Sequence, residues 1–310
     1  MNTRITTVAA FAAACLAGST AFAGTTVKHS KKVVEPVQES CITGDIGFDV
    51  VSNYIRHGIA LENQGFIIQP YADLHFRIYK GAGPLTSVTA DIGIWNSFNS
   101  HKPNAGRFTG GRQSTANWFE FDVQTGLTFN FNKLSLAGYY KVYESPSSVF
   151  QNTYTAGVKA AYDDSDALGL IALHPYALVE FQLEGTTGNN FNGNPRFHGR
   201  GQYYEVGIAP GHTWGALTLS LPVKGGFGSG GFYRGNRGFG FVSVGARADY
   251  ALNFVPACLG KWTIDGGFTY YRLGGTNTGP GRAGASGGGL SQAVIDKNQL
   301  VFEGGLKVSF

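Results

Sequence analysis

The last eleven residues of the chain alternate between apolar and polar side chains. The apolar face carries Leu300, Phe302, Leu306, Val308 and Phe310, and the polar face carries Glu303, Lys307 and Ser309. Successive side chains of a β-strand point to opposite faces of the sheet. A strand of this length with one apolar and one polar face is the repeating unit of a transmembrane β-barrel. The segment therefore predicts an all-β protein whose polar faces enclose a lumen.

The same alternation recurs along the chain. In one of the clearest segments, Phe119 and Phe121 alternate with Glu120 and Asp122. The predicted strands are 45–55, 66–79, 85–97, 118–131, 134–143, 153–162, 175–183, 202–210, 217–224, 240–251, 262–271 and 300–310. We therefore predict a transmembrane antiparallel up-and-down β-barrel of about 12 strands. Counts of about 10 or 14 remain alternatives, because the eighth and ninth segments are weak.

The predicted connections alternate between long and short. The short ones are 80–84, 132–133, 163–169, 211–216 and 252–261, and the long ones are 56–65, 98–116, 144–152, 184–201, 225–239 and 272–298. Long extracellular loops and short periplasmic turns are typical of outer-membrane barrels. A soluble β-sandwich is not expected to alternate long and short loops, so this alternation favours the barrel.

Aromatic residues lie near many of the predicted strand ends. They are Tyr54, Tyr79, Trp95, Trp118, Tyr143, Tyr162, Trp214, Tyr250 and Trp262. Because Trp and Tyr are enriched at membrane–water interfaces, we interpret this set as interfacial girdles. The alternative is that these rings pack in cross-strand pairs.

The amino-terminus has the pattern of a secretory signal peptide. Arg4 precedes an apolar stretch over 5–17, and Ala21-Phe22-Ala23 forms a small-x-small cleavage site. A lipoprotein signal at Cys15 is a weaker alternative. The predicted organisation is a signal peptide over 1–23, a periplasmic tail over 24–43 and an outer-membrane barrel over 44–310. Beyond the signal, no apolar run approaches the roughly 20 residues of a membrane helix.

Most of the charged residues on the predicted strands share the lumen face. The acidic ones are Asp49, Asp73, Asp91, Glu120, Asp122, Glu180, Glu205, Asp249, Asp265 and Glu303, and the others are His75, Arg77, Lys141, Lys159, Lys224, Arg247 and Lys307. Charges at membrane depth are tolerated where they pair or meet water. The pattern predicts a water-filled pore with a mild cation preference. The alternative is a salt-bridge network, with side chains and one tucked loop obstructing the lumen.

The predicted outer loops carry mainly basic residues. They include Lys102, Arg107, Arg112, Arg196, Arg200, Arg234, Arg237 and Arg282. One interpretation is an electrostatic funnel for anionic solutes. We prefer contact with lipopolysaccharide phosphates in the outer leaflet, for which arginine is well suited.

Two cysteines follow the signal, in a compartment that permits disulfides. Cys41 precedes the first predicted strand and Cys258 lies in a short turn, so both are expected on the periplasmic side. We predict a disulfide between them that tethers the amino-terminal tail.

Catalytic and cofactor motifs are weak. The run 284–288 matches the G-x-S-x-G pattern and 226–231 matches a dinucleotide fingerprint, but both lie in glycine-rich loops without the following helix. His75 and His174 each lie near a Pro-Tyr-Ala triplet. Each could act as a metal ligand or a general base, but we favour the interpretation that both are hydrogen-bonded histidines of the lumen. We therefore predict no enzyme, no catalytic residue, no metal and no cofactor. The nearly balanced charge gives no reason to expect nucleic acid as a partner.

Several stretches resemble the TorF-type porins of proteobacterial outer membranes. Segment 51–58 resembles the opening S-x-Y-x-x-R-G element of that family, with His57 intervening before the glycine, and 93–97 resembles its G-x-W-x-S strand end. Segments 119–126 and 139–146 resemble a later strand pair. The likeness implies a porin-like barrel and names no solute. The aromatic end at Phe310 is similar to that of bacterial outer-membrane barrels, which implies recognition by their insertion machinery.

The sequence thus predicts an outer-membrane channel for passive diffusion of small hydrophilic solutes. Outer-membrane lipid and lipopolysaccharide are the other expected partners. The second hypothesis is a non-conducting structural or adhesion barrel that binds lipopolysaccharide or another surface through its basic loops. The third is an outer-membrane lipid hydrolase, for which the sequence offers no convincing triad.

Overall fold

The structure is a computed structural model. The residues that it describes are 40–62, 65–100, 117–147, 152–169, 172–185, 201–229, 231–233, 238–274 and 296–310. The predicted signal peptide, most of the predicted tail and all eight basic loop residues lie outside these ranges. Among the described residues, no helix has the length and apolar character needed to cross a membrane.

Nearly all of the described chain is β-strand. The strands are β1 (Ile42–Val51), β2 (Tyr54–Arg56), β3 (Ile59–Glu62), β4 (Ile67–Lys80), β5 (Ser87–Asn99), β6 (Trp118–Phe131), β7 (Leu134–Glu144), β8 (Thr153–Tyr162), β9 (Tyr176–Glu184), β10 (Gln202–Ile208), β11 (Gly211–Trp214), β12 (Leu217–Ser220), β13 (Val223–Ser229), β14 (Phe239–Ala251), β15 (Lys261–Leu273) and β16 (Asn298–Ser309). One helical turn, α1 (Ser165–Leu168), and a 3₁₀ turn at Ala257–Leu259 complete the elements.

The sheet closes on itself. Neighbouring strands pair antiparallel in chain order, and β1 pairs with β4 on one side and with β16 on the other. Two of the barrel strands are interrupted: β10 and β11 form one, β12 and β13 the next, and both β12 and β13 pair with β14. Pro210 and Pro222 lie in the two gaps, where a residue without an N–H cannot donate to a ladder. The result is the predicted closed barrel of twelve strands.

The predicted strand positions are confirmed within a few residues, with three differences. The first strand begins at Ile42 and ends at Val51, so residues 42–43 belong to the barrel instead of the tail. The predicted turn 211–216 is mostly strand, and only Gly215 and Ala216 separate β11 from β12. The ninth strand runs on to Ser229 through several glycines, which have no side chain to continue the alternation.

The two faces of the wall differ as predicted. Outward side chains such as Ile78, Phe302 and Ile46 are 62%, 56% and 51% exposed, although they are apolar. A closed wall with such a surface fits hydrocarbon and not water. One assignment is wrong: a bulge opposite Ser97 and Phe98 shifts the register, and Phe119 turns inward. It is completely buried beside Glu120.

The hairpin β2–β3 lies inside the barrel. All four residues of β3 are buried. They belong to an apolar cluster that also contains wall residues from several strands: Phe119, Tyr143, Tyr203, Phe241, Leu273 and Val301. The predicted long outer loop 56–65 is therefore, over its described part, a tucked internal segment that crosses the lumen.

Candidate solute path through the barrel

The inner hairpin is attached to the wall through a buried carboxylate. Arg56 forms an ion pair with Glu120, whose side chain is completely buried. The Tyr54 hydroxyl donates a 3.0 Å hydrogen bond to the same carboxylate. The Arg56 guanidinium also lies 4.4 Å from the ring centroid of Tyr143 on β7. Because a buried charge needs both a counter-ion and hydrogen bonds, this cluster couples the hairpin to β6 and β7.

The tip of the hairpin reaches the opposite wall. His57 adopts a positive φ of 50°, and Gly58, at φ 73°, lies against Phe241 on β14, where a Cβ would clash. The centroid of the His57 ring lies 4.1 Å from that of Tyr203 on β10, with the two rings tilted by 38°. The backbone carbonyl of His57 accepts a 2.7 Å hydrogen bond from the Tyr233 hydroxyl. Burial, reinforced by nearby cations, lowers the pKa of His57 well below its usual value, so the ring is neutral at neutral pH.

Tyrosines satisfy the inward carboxylates of the far wall. Glu180 on β9 accepts hydrogen bonds from Tyr139 at 3.1 Å and from Tyr143 at 3.3 Å. Its carboxylate also lies 3.8 Å from His57 Nε2. Glu205 on β10 accepts hydrogen bonds from two further tyrosines, Tyr176 and Tyr203. These donors were not predicted from the sequence, although Tyr139 and Tyr143 lie on the same strand face as Lys141.

Three aromatic residues interpreted as girdle members are inside the barrel. Tyr54 and Tyr143 are buried, and Trp95 packs on the hairpin with its ring centroid 5.4 Å from that of Tyr54. The girdle interpretation is wrong for these three, because proximity to a strand end does not fix the face. Five others point outward and are at least 39% exposed: Tyr79, Trp118, Tyr162, Trp214 and Tyr250.

A cavity of about 290 Å³ separates the hairpin from the middle of β4 to β7. Its polar lining includes Arg56 from the hairpin and Asp73, Asp122 and Lys141 from the wall. Lys141 Nζ lies 2.9 Å from Asp122 Oδ2. The cavity therefore brings ionisable groups of both signs together between the hairpin and strands β4 to β7.

A second charged cluster lies on β14, β15 and β16. Arg247 is 3.3 Å from Asp249, 2.9 Å from Asp265 and 3.3 Å from Glu303. Asp49 on β1 lies in the same region. Its carboxylate and that of Asp265 both lie over Gly305, where a Cβ would contact the two groups. This part of the wall is a salt-bridge network, as the alternative interpretation of the lumen charges predicted.

The remaining predicted lumen residues also lie on the inner face. His75 Nδ1 is 2.7 Å from Asp91, Arg77 donates to the Ser40 carbonyl, and Lys159 lies 4.9 Å from the Tyr176 ring centroid. Directly paired residues share a face. Lys224 is paired with Ser243, which is buried, so Lys224 is on the inner face. Lys307 is paired with Thr263, and the next pair along the ladder, Leu306–Ile264, points outward, so Lys307 points inward. Their role as pore lining remains a prediction.

The structure does not form the predicted disulfide. Cys41 and Cys258 are both free and exposed. Cys41 precedes β1 and Cys258 lies between β14 and β15, and β16 separates β1 from β15.

One acidic turn was not predicted as a cluster. Asp163, Asp164 and His174 bring three ligand-type atoms within 4.8 Å of one another in the connection from β8 to β9. The Asp164 carboxylate accepts the backbone N–H groups of Leu173 and His174 at 2.9 to 3.1 Å. Desolvation raises the pKa of Asp164, but these backbone donors outweigh it and lower the pKa overall. These hydrogen bonds show that the Asp164 carboxylate stabilises the conformation of the turn.

Comparisons with known proteins give distant structural similarities only. No known family and no curated protein matches the sequence. An outer-membrane channel from Pseudomonas putida F1 is similar in structure, with a TM-score of 0.46 and 10% identity over 91% of this chain and 100% of that chain. The outer membrane phospholipase A from Escherichia coli has a TM-score of 0.39 and 13% identity over 86% and 92% of the two chains. Salmonella typhi OmpF has a TM-score of 0.36 and 8% identity over 87% and 97%.

Proposed function

We propose that this chain is an outer-membrane channel that passes small hydrophilic solutes by diffusion around an internal hairpin. The observation that carries the proposal is the cavity of about 290 Å³ at mid-barrel, which is bounded by ionisable side chains. Charged groups at membrane depth are stable where they meet water or a counter-ion. A barrel that served only as an anchor would have no need for such a cavity.

The hairpin makes the channel a restricted one. It contacts β6, β7, β10 and β14, so it crosses the lumen from one wall to the other. Solutes then pass beside it, or pass when it moves. In either case we expect a smaller conductance than a barrel of this size would have with an empty lumen.

Single-channel recording in planar bilayers tests the proposal. The purified, folded protein is expected to give discrete steps. A variant in which residues 53–63 are replaced by a short Gly-Ser linker is expected to give larger steps, because the lumen is then unobstructed. Absence of steps from wild-type protein whose folding has been confirmed by heat-modifiable gel mobility would refute diffusion.

A non-conducting barrel is the second candidate, and the buried hairpin favours it. In that case only the linker variant would conduct. The basic loop residues support lipopolysaccharide as the surface partner in this case, and binding should weaken when Lys102, Arg107 and Arg112 are changed to Gln. Retained binding by that variant would remove the basis for this partner. The TorF-type resemblance, the cleaved signal and insertion through Phe310 are parts of the same proposal.

A further inference from the structure

The charges around the mid-barrel cavity are unequally compensated. Both cations already have carboxylate partners, because Arg56 pairs with Glu120 and Lys141 pairs with Asp122. Asp73 forms no ion pair with any described residue. The Asp122 side chain is 3% exposed, and its Oδ1 accepts no hydrogen bond from the described part of the chain. The groups left without partners are therefore carboxylate oxygens.

An unpaired buried acceptor needs a donor. Leaving a buried polar atom without a hydrogen bond is costly, and the cost is larger for a charged group. Glu120, two residues from Asp122 on the same strand, is already paired with Arg56. Three carboxylates therefore face two cations around the cavity, which leaves one negative charge in excess. A bound group that is positively charged and carries N–H donors would satisfy this environment.

Aromatic rings complete the site. Tyr54, Tyr71 and Trp95 line the cavity together with the carboxylates. Tyr and Trp faces attract cations when water is excluded. The volume of about 290 Å³ is at the small end of ligand pockets. These features together fit a small organic molecule and not a bare metal ion, for which aromatic walls offer no ligands.

We propose that the cavity lined by Asp73, Trp95 and Asp122 binds small solutes through a primary ammonium group. The ammonium lies between the carboxylates of Asp73 and Asp122, while the carbon part packs on the rings. The physiological meaning of the site rests on the proposed channel function, since a binding site on the path gives selectivity. Binding itself does not depend on conduction.

Calorimetric titration of the detergent-solubilised barrel at pH 7 tests this site. Ethanolamine hydrochloride is the probe, ethylene glycol is the neutral control of similar size, and potassium chloride and tetramethylammonium chloride are the control cations. We expect saturable binding of ethanolamine, about tenfold weaker binding of tetramethylammonium, which has no N–H donor, and none of ethylene glycol. Equal binding of ethylene glycol, or equal competition by potassium, would overturn the proposal.

Two variants locate the site. Asp73→Asn removes a carboxylate that holds no described ion pair, so it is expected to fold normally and to lose about tenfold in ethanolamine affinity. Asp166→Asn is the matched control, because Asp166 is exposed on α1, outside the lumen, and its affinity should equal that of wild type. An Asp73→Asn variant that binds as tightly as wild type refutes the assignment.

The two proposals fail separately. Ethanolamine binding without bilayer steps would keep this site and refute the channel. Steps without saturable binding would keep the channel and refute the site.

Discussion

Replacing Arg56 by Met should release the hairpin from the wall. The substitution keeps much of the side-chain length but leaves the completely buried Glu120 without its counter-ion. Breaking a buried ion pair by removing one partner costs about 3–5 kcal/mol. The contact of Arg56 with the Tyr143 ring is lost as well. Since 1.4 kcal/mol corresponds to a factor of ten, the docked state should lose a factor of at least about 100 against the undocked state.

Cysteine accessibility measures this equilibrium. Ile59→Cys places a thiol in the buried strand β3, where the native side chain is 8% exposed. In a background with Cys41→Ser and Cys258→Ser, the rate of maleimide labelling reports the undocked fraction. We expect labelling to be about 100-fold faster in the Arg56→Met variant, up to the rate of a fully exposed thiol. Single-channel conductance should rise in parallel.

The double variant Arg56→Met, Glu120→Gln provides the control. Removing both charges eliminates the uncompensated carboxylate, so most of the docking free energy should return. Two results would show that the Arg56–Glu120 pair does not hold the hairpin. One is a labelling rate of the Arg56→Met variant within about twofold of the rate with Arg56 present. The other is a labelling rate of the double variant as fast as that of Arg56→Met alone.

Three further predictions follow from the same structure. Because burial lowers the pKa of His57, the undocked hairpin binds more protons than the docked one below about pH 6.5. Acidification should therefore weaken docking by up to about 1.4 kcal/mol per pH unit, and the rate of Ile59→Cys labelling should rise accordingly. In a His57→Gln variant the labelling rate should lose this pH dependence. Phe121→Arg should oppose membrane insertion by about 2–4 kcal/mol if it lies near mid-bilayer, whereas Gln124→Arg on the inner face should insert normally; equal refolding yields in vesicles would mean that the faces are misassigned. Gly305→Ala should destabilise the barrel by about 1–3 kcal/mol, because a Cβ would lie 2.9 Å from the Phe48 carbonyl, while Gly138→Ala has open space and should be neutral in thermal unfolding.

The strand pattern was readable because its signal is local. Side chains alternate with a period of two in any strand, so β4 and β6 were found from their sequences alone, and most of their faces were assigned correctly. The exception, Phe119, shows the limit of this reasoning. The bulge at Phe119 depends on how β6 pairs with β5, and the β6 sequence alone does not predict it.

The cysteine pair failed for a similar reason. Both residues lie at the expected end of the barrel, but strand order in space decides whether two ends meet. The prediction rested on both residues lying on the periplasmic side, whereas in the structure β16 pairs between β1 and β15.

The alternation along the chain was enough to predict an apolar outer face and a charged inner face of the wall, because the face of a side chain depends only on its place along its own strand. It left counts of 10 or 14 strands open, and the pairing of both β12 and β13 with β14 fixed the number at twelve. The tertiary structure alone decided what occupies the lumen. Residues 56–65 were predicted as an outer loop, and the position of the hairpin inside the barrel comes from contacts with β6, β7, β10 and β14, which are distant in sequence. The buried ion pair with Glu120 and the cavity beside the hairpin both result from that position.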